Sequence, residues 1–245
     1  GVADRHPLQS YEAKRAMATY SQLIYRDVPP AVGPEALTVV TLHGDRGGLD
    51  DLIPFARSLS PTIHVVAPEA ARGVYQALEI VSRTWFGGTL DAPEPASFGD
   101  SLAQLEKFIH DVRNRAQVPT GERPLLVGFD QGAVLAAMAA LVLPDLISGV
   151  VAIDGGVPTF RLWSPPEMDA QGLPVLFVSD PADTKLPPET IPMSGARLRA
   201  RGAEVDHVVV PGARALGPAV TEAVRTWLAQ HEQFAPAVSV SPQAV

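Results

Sequence analysis

The alternation of apolar and polar positions predicts a chain that switches repeatedly between short buried strands and amphipathic helices. Six apolar runs have the length of strands: 37–42, 62–66, 125–129, 149–153, 175–178 and 205–210. Helical periodicity occurs over residues 50–58, 98–115, 132–143, 191–201 and 220–230. Continuous apolar strands that alternate with amphipathic helices are typical of a parallel sheet covered on both faces. The predicted fold class is therefore α/β, with functional groups expected at the carboxyl ends of the strands.

The same pattern divides the chain into one domain and two flanking segments. Apolar residues at helical spacing over 10–25 predict an amphipathic helix, so residues 1–35 are interpreted as an N-terminal helix and linker. Residues 36–232 form the predicted domain, and residues 233–245, which lack a helical period, form a predicted flexible tail. The proline-rich segment 158–172 carries Phe160, Trp163 and Met168. Two interpretations of this segment are open, a small lid over a pocket or a packed surface loop.

Composition narrows the functional classes. The 245 residues are 46% hydrophobic and carry a net charge of −8, so we expect a large core and no nucleic-acid partner. Cysteine is absent, which excludes disulfides and a cysteine nucleophile. The six histidines show no metal-ligand spacing, and neither a metal nor another cofactor is expected. We find no apolar run long enough to span a membrane, and the first residues do not have the pattern of a signal peptide. The predicted location is therefore cytoplasmic.

The most informative local pattern is Gly128-Phe-Asp130-Gln-Gly132. An apolar strand precedes it and a helical run of small residues follows, as in a nucleophile elbow, in which a tight strand-to-helix turn needs glycine at both ends. Such a turn holds the central side chain, here Asp130, above the carboxyl end of the sheet. The N-terminus of a helix also favours a negative charge at this position.

Five segments resemble the α/β-hydrolase fold, and within it the small carboxylesterase/phospholipase group. They are the Leu-His-Gly loop of residues 40–52, the strand end 66–70, the tryptophan loop 84–86, the elbow, and the stretch from 144 through the loop 178–187. The resemblance implies an oxyanion-hole loop around Gly44, Asp45 and Arg46, with the N–H of Gln131 as a second donor. It also implies that Trp85 and Phe86 border the site, and that Asp183 occupies the position of the triad acid.

Two catalytic positions depart from that family. Asp130 replaces the serine, and the stretch Val210-Pro-Gly-Ala-Arg214-Ala-Leu-Gly-Pro218 contains no histidine where the family carries one. A serine esterase needs that imidazole to activate both the hydroxyl and the hydrolytic water, so we do not expect a serine esterase. Asp183 is a candidate catalytic residue, but without that imidazole to orient it the interpretation as a loop-capping residue is preferred. Among the histidines, His43 in the Leu-His-Gly loop is the candidate catalytic group, and His207 is a more distant alternative.

Three functions remain open for an elbow aspartate. The leading hypothesis is a cofactor-independent enzyme that uses Asp130 as a general acid or base beside an oxyanion pocket, for cyclisation, elimination or isomerisation in a biosynthetic pathway. The second is hydrolysis of an ester, epoxide or carbon–halogen bond through an aspartyl ester. The third is a pseudoenzyme that only binds a ligand.

Each hypothesis implies a small, partly apolar ligand, and the oligomeric state is left open. Burial against aromatic residues, including Trp163, would raise the pKa of Asp130 and make it an acid, whereas the helix N-terminus would lower it and make it a base. Arg46, Arg161 and Arg214 are the candidate cations near it.

Overall fold

The computed structural model describes residues 21–33, 37–114, 122–161, 163 and 165–234. Its central feature is a seven-stranded sheet with the order β1-β3-β2-β6-β7-β8-β9. The strands are β1 (Tyr25–Val28), β2 (Leu37–Leu42), β3 (Ile63–Pro68), β6 (Leu125–Phe129), β7 (Gly149–Ile153), β8 (Pro174–Ser179) and β9 (Glu204–Val209). Strand β1 pairs antiparallel with β3, and the remaining neighbours are parallel.

Helices cover both faces of this sheet. They are α1 (Ile53–Leu59), α2 (Pro95–Arg113), α3 (Gln131–Val142), α4 (Thr190–Arg199) and α5 (Pro218–Gln230). One apolar core lies between the sheet and α2, α3 and α4, and a second lies between the sheet and α1 and α5. The predicted α/β class, with a mostly parallel sheet, is therefore confirmed.

The six predicted strands are all present, and three further strands were not predicted: the two strands of a hairpin and the edge strand β1. A hairpin joins β4 (Arg72–Gln76) and β5 (Glu79–Thr84), and much of it is exposed. Its two-residue turn places Ala77 at a positive φ of 54°, without the glycine or asparagine that would signal such a turn. Strand β1 escaped prediction because it lies at the sheet edge and contains the charged residues Arg26 and Asp27.

The flanking segments differ in part from their predicted boundaries. The predicted helix of residues 10–25 lies mostly outside the described residues, and its last residue, Tyr25, begins β1. The predicted tail starts too early, because Phe234 is only 6% exposed and packs against Trp227. Residues 235–245 of that tail also lie outside the described residues.

Candidate active site

The backbone at Asp130 forms the predicted elbow between β6 and α3. Asp130 has φ 54° and ψ −116°, a region that non-glycine residues rarely adopt. A Cβ at Gly132 would collide with the carbonyl oxygen of Leu42, and one at Gly128 would collide with the backbone of Gly132. Both glycines are therefore required by close backbone approach, and the turn holds Asp130 in a position where it is only 2% exposed.

Three donors surround the carboxylate of Asp130. Its Oδ2 accepts a hydrogen bond of 3.0 Å from the backbone N–H of Asp45, in the loop that follows β2. Its Oδ1 accepts one of 2.9 Å from Lys185 Nζ and one of 3.0 Å from Arg214 Nη2. The carboxylate thus joins the predicted oxyanion loop to two cations.

These donors decide the charge of Asp130. Burial by itself raises the pKa of the carboxyl group, but the hydrogen bonds from Lys185, Asp45 and Arg214 together bring that pKa below its ordinary value. Asp130 is therefore a carboxylate anion at neutral pH and is excluded as a general acid. The pKa shift has the direction expected of the helix N-terminus, but its causes are the hydrogen bonds from Lys185, Asp45 and Arg214.

Arg214 occupies the stretch in which the triad histidine was expected. It lies in a 3₁₀ turn, Ala213–Ala215, after the last strand. Besides contacting Asp130, it donates from Nη1 to Asp183 Oδ2 at 3.1 Å, and its guanidinium lies 5.1 Å from the centre of the Phe129 ring. Asp130, Arg214 and Asp183 are thus connected in series by hydrogen bonds. A guanidinium remains protonated at any ordinary pH, so this series cannot activate water as an imidazole does.

Asp183 has two contacts in this series. Its Oδ1 caps the loop by accepting from the backbone N–H of Lys185 at 3.0 Å, as expected of a loop-capping residue, and its Oδ2 pairs with Arg214. Arg46 and Arg161, the other candidate cations, do not contact Asp130. Arg46 points its side chain into solvent with 71% exposure and approaches only Asp45, at 4.0 Å, and Arg161 lines a different depression.

A second buried carboxylate, Asp154, follows directly after β7. It is 1% exposed and has a positive φ of 52°. Its Oδ1 accepts from the backbone N–H of Asp180 at 2.8 Å, but Oδ2 is buried without a hydrogen bond from the described residues, and Arg214 Nη1 lies 3.8 Å away. Burial, together with the nearby charge of Asp183, raises the pKa of Asp154 to about 6. Asp154 therefore titrates close to neutrality.

A cleft of about 780 Å³ opens beside these groups, and Asp154, Asp183 and Lys185 line it. The wall on its β9 side contains a hydrogen-bonded pair, in which the Ser179 hydroxyl and His207 Nε2 are 2.8 Å apart. His207 thus reaches the cleft. Burial and the charge of Arg199 lower its pKa, so His207 is neutral at pH 7.

His43 is placed differently from the expected catalytic group. It is 2% exposed, its Nδ1 lies 2.8 Å from the carbonyl oxygen of Gly44, and its Nε2 accepts from the backbone N–H of Ala70 at 3.0 Å. Burial lowers its pKa. Both ring nitrogens of His43 bind backbone groups, so this residue links two loops, and its catalytic role stays a prediction.

The remaining predicted residues build the floor of the elbow. Gly44 lies against Phe129 and Asp130, so closely that a Cβ there would come within 3.0 Å of the Phe129 ring. The side-chain amide of Gln131 accepts from the backbone N–H of Trp85 at 2.8 Å and donates to the carbonyl oxygen of Phe86 at 2.9 Å. Trp85 and Phe86 are each 1% exposed. They shape the site from within the core, and their burial leaves no surface that a ligand can contact.

Segment 158–172 has no helix or strand among its described residues. Trp163 packs edge-on against Phe160, with ring centres 4.7 Å apart, and both rings contact Phe98 of α2. Phe160 and Arg161 line a depression of about 510 Å³ that shares Asp91 and Pro187 with the 780 Å³ cleft. The segment thus packs against α2 and also forms part of a pocket wall, so both interpretations stay predictions, and Trp163 belongs to an aromatic cluster on α2.

Two further observations apply to the described part of the chain. Its helices include none with the length and apolar character that a membrane crossing requires. Its histidine and acidic side chains form no cluster of three or more that could hold a metal ion.

The chain matches the family model for phospholipase/carboxylesterase over residues 16–211. It belongs to that family. The carboxylesterase from Mesorhizobium loti is a structural neighbour with a TM-score of 0.73 and 24% identity, covering 85% of this chain and 95% of its own. The Bacillus cereus carboxylesterase has a TM-score of 0.72 and 15% identity, covering 87% of this chain and 96% of its own. A phospholipase/carboxylesterase from Dyadobacter fermentans has a TM-score of 0.66 at 22% identity, covering 85% and 96%.

Family membership confirms the resemblance seen in the sequence, and it agrees with the expectation of an enzyme, because the family and these neighbours are carboxylesterases. At these identities the solved structures establish only the fold of this chain, the α/β-hydrolase fold.

Two residues of the charged centre, Lys185 and Asp154, were not predicted from the sequence. A signal existed for Asp154, which follows a predicted buried strand at its carboxyl end.

Proposed function

We propose that this chain is an enzyme that performs proton-transfer chemistry on a small, partly apolar molecule, without forming an acyl or alkyl ester on the elbow residue. One observation carries the proposal: a single ion-pair network contains two carboxylates whose pKa values are displaced in opposite directions, that of Asp130 downwards and that of Asp154 upwards to about 6. Pairs of this kind are typical of sites in which one carboxylate stays ionised while the other exchanges a proton.

The network assigns a separate role to each group. Asp154 lines the cleft and exchanges the proton, because its pKa lies near neutrality and its Oδ2 has no other hydrogen bond. Asp130 is a positioning residue whose negative charge holds Lys185 and Arg214. Lys185 lines the same cleft, and its half-exposed ammonium group stabilises negative charge that develops on the substrate. The leading role thus moves from Asp130, as the sequence suggested, to Asp154.

Hydrolysis through an aspartyl ester is less well supported. Both oxygens of Asp130 already accept hydrogen bonds, and two cations on Oδ1 make it a weak nucleophile. An ester formed there would also need a base to activate water, and Arg214 stands where that base is required. Such an ester would accumulate instead of turning over.

A binding-only pseudoenzyme is the second candidate. The observation that favours it is that the side chain of Asp130, only 3% exposed, already accepts from the Asp45 N–H that the oxyanion loop would offer to a substrate. On this alternative, the cleft binds a ligand and no bond or proton is exchanged.

Deuterium exchange distinguishes these functions. A panel of small ketones, aldehydes and esters is incubated with the protein in heavy water, and NMR detects deuterium incorporated at the carbon next to the carbonyl group. We expect incorporation with the wild type and at least a tenfold loss in Asp154→Asn, since proton transfer by a positioned side chain contributes roughly a hundredfold or more. Asp145→Asn makes the same change at an exposed residue before the amino end of β7 and serves as the matched control.

The same samples test the other two candidates. Intact-mass measurement after incubation with activated esters, epoxides and alkyl halides detects a covalent adduct, and an adduct lost in Asp130→Asn would establish the aspartyl-ester route. Binding of panel members without any exchange would establish the pseudoenzyme. Exchange that is unchanged in Asp154→Asn would refute the role of Asp154.

A further inference from the structure

The buried oxygen Oδ2 of Asp154 lacks a donor. It makes no hydrogen bond to the described residues, although the residue is 1% exposed, and the nearest cation, Arg214 Nη1, is 3.8 Å away. Buried polar atoms are nearly always hydrogen-bonded, because an unsatisfied one costs free energy. Asp154 also lines the 780 Å³ cleft. The unsatisfied oxygen thus belongs to a residue of the cleft wall but is itself covered, and a ligand can supply the missing donor only where that wall moves aside.

The charges around the cleft indicate what kind of donor fits. Among the described residues that line it are four carboxylates, Asp91, Asp154, Asp180 and Asp183, and one cationic side chain, Lys185. The ammonium group of Lys185 is already hydrogen-bonded to Asp130. Negative charge thus exceeds positive charge at this surface, and a cationic group on the ligand would reduce the repulsion among the carboxylates.

The rest of the cleft is apolar. Leu186, Pro187, Ile191 and Val209 contribute to its walls. A ligand with one charged end and a hydrocarbon body would therefore place each part against a matching surface.

We propose that the cleft binds a small molecule that carries a protonated amine on an apolar body, and that its ammonium group donates a hydrogen bond to Asp154 Oδ2. This inference deepens the proposed function, on which it rests for the role of the cleft, by naming the substrate class; while Asp154 Oδ2 holds the ammonium group, the carboxylate acts as its acceptor and does not at the same time take another proton. A charge-assisted hydrogen bond of this kind is stronger than a bond between neutral groups.

The pH dependence of binding follows from the charge of Asp154. The charged groups that face it are Asp180, Asp183 and Arg214. The amine needs the ionised carboxylate, and the pKa of free Asp154 is about 6. We therefore expect amine binding to strengthen as the pH rises from about 5 to about 7.5, a range in which simple alkylamines stay protonated.

The test compares cyclohexylmethylamine with cyclohexylmethanol, its neutral analogue, by NMR-detected titration of the full chain. We expect the wild type to bind the amine at least tenfold more tightly, the size expected for one charge-assisted hydrogen bond. The ratio should fall close to one in Asp154→Asn and remain unchanged in Asp145→Asn. If Asp154→Asn does not fold, the pH dependence in the wild type decides the same question.

Three outcomes would overturn the inference: no saturable binding of the amine, equal binding of amine and alcohol, or a preference for the amine that survives in Asp154→Asn. Failure of the proposed function looks different. Deuterium exchange without a preference for amines would refute only the substrate class, whereas a preference for amines without exchange would refute only the proton-transfer chemistry.

Discussion

Replacing Arg214 by methionine tests how strongly the charged centre depends on one side chain. The change removes hydrogen bonds to Asp130 and Asp183, of 3.0 and 3.1 Å, and the stacking of the guanidinium on Phe129. It leaves Lys185 as the cation bound to Asp130. Three neighbouring carboxylates, those of Asp130, Asp154 and Asp183, would then share much less positive charge.

The expected loss of stability follows from these contacts. Each charge-assisted hydrogen bond contributes about 1.5–3 kcal/mol, and the cation–π contact about 0.5–1 kcal/mol at an exposed site. The side chain of Arg214 is 30% exposed, so water screens part of this energy and the lower ends of the ranges apply. We therefore expect Arg214→Met to lower the free energy of unfolding by about 3 kcal/mol near pH 7.5, similar to the loss when one partner of a buried ion pair is removed.

The loss of stability caused by Arg214→Met should become smaller as the pH falls. The pKa of Asp154 in the folded protein is already raised to about 6, and removing the charge of Arg214, which lowers that pKa, raises it further. A group of this kind loses its contribution to stability as the pH rises through its folded pKa, so the variant is penalised most at higher pH. Near pH 5, Asp154, with its pKa of about 6, is already largely protonated. We expect the deficit there to be smaller by about 1 kcal/mol or more.

Urea unfolding followed by tryptophan fluorescence at both pH values measures these differences, provided that the m-value stays constant. Arg26→Met is the matched control, because Arg26 forms an exposed ion pair with Asp50, and such pairs contribute about 0–1 kcal/mol. A deficit for Arg214→Met that does not exceed that of the control at either pH would refute the view that Arg214 holds the carboxylates together.

Two further predictions concern the carboxylates themselves. Asp130→Ser restores the family's elbow residue, yet we expect release of nitrophenolate from an activated ester to stay at the wild-type level, because Arg214 cannot act as the base; a rise of tenfold or more would contradict this. The pKa of Asp154 in the folded protein is about 6 in place of 3.8, so ionisation of this carboxyl group above pH 6 opposes folding. Asp154→Asn cannot ionise there and should therefore be more stable than the wild type above pH 6, by up to about 3 kcal/mol. This gain should disappear near pH 4 in the same unfolding assay, and a gain that persists there would show that charge is not its cause.

Most of the sheet could be predicted because its strands are buried on both faces. Strands β2, β6 and β7 have the predicted bounds, and every residue of β2 and β7 is buried. The strands that escaped prediction are exposed in part or entirely, so packing does not impose a continuous apolar run on them. Strand β1 and the β4–β5 hairpin are of this kind. Period and apolarity therefore identify the buried strands; the edge strand β9 was also predicted although it is largely exposed, because three of its six residues are valine.

The charged centre was predictable only where backbone geometry constrains the sequence. The glycines at 128 and 132 identify the elbow, since no other residue fits between Leu42 and the turn. Arg214 was one of three candidate cations, and the sequence could not select it, because which cation reaches Asp130 depends on how three loops meet. Lys185 was missed for the same reason. The backbone contacts of His43 could not be predicted either, because Ala70 becomes its neighbour only through the fold.

The substitutions at the elbow and at the histidine position have a joint consequence for the chemistry. A buried anion at Asp130 is stable only with cations beside it, and Arg214 and Lys185 supply them. The same cations make Asp130 a weak nucleophile, and on the proposed function these positions take no part in ester hydrolysis. The centre nevertheless keeps a strained backbone at both Asp130 and Asp154 and an unsatisfied buried oxygen at Asp154. These are costs to stability, and such costs are typical of functional sites. They lie at the carboxyl ends of the neighbouring strands β6 and β7, and the proposed function assigns the proton transfer to Asp154, one strand away from the elbow.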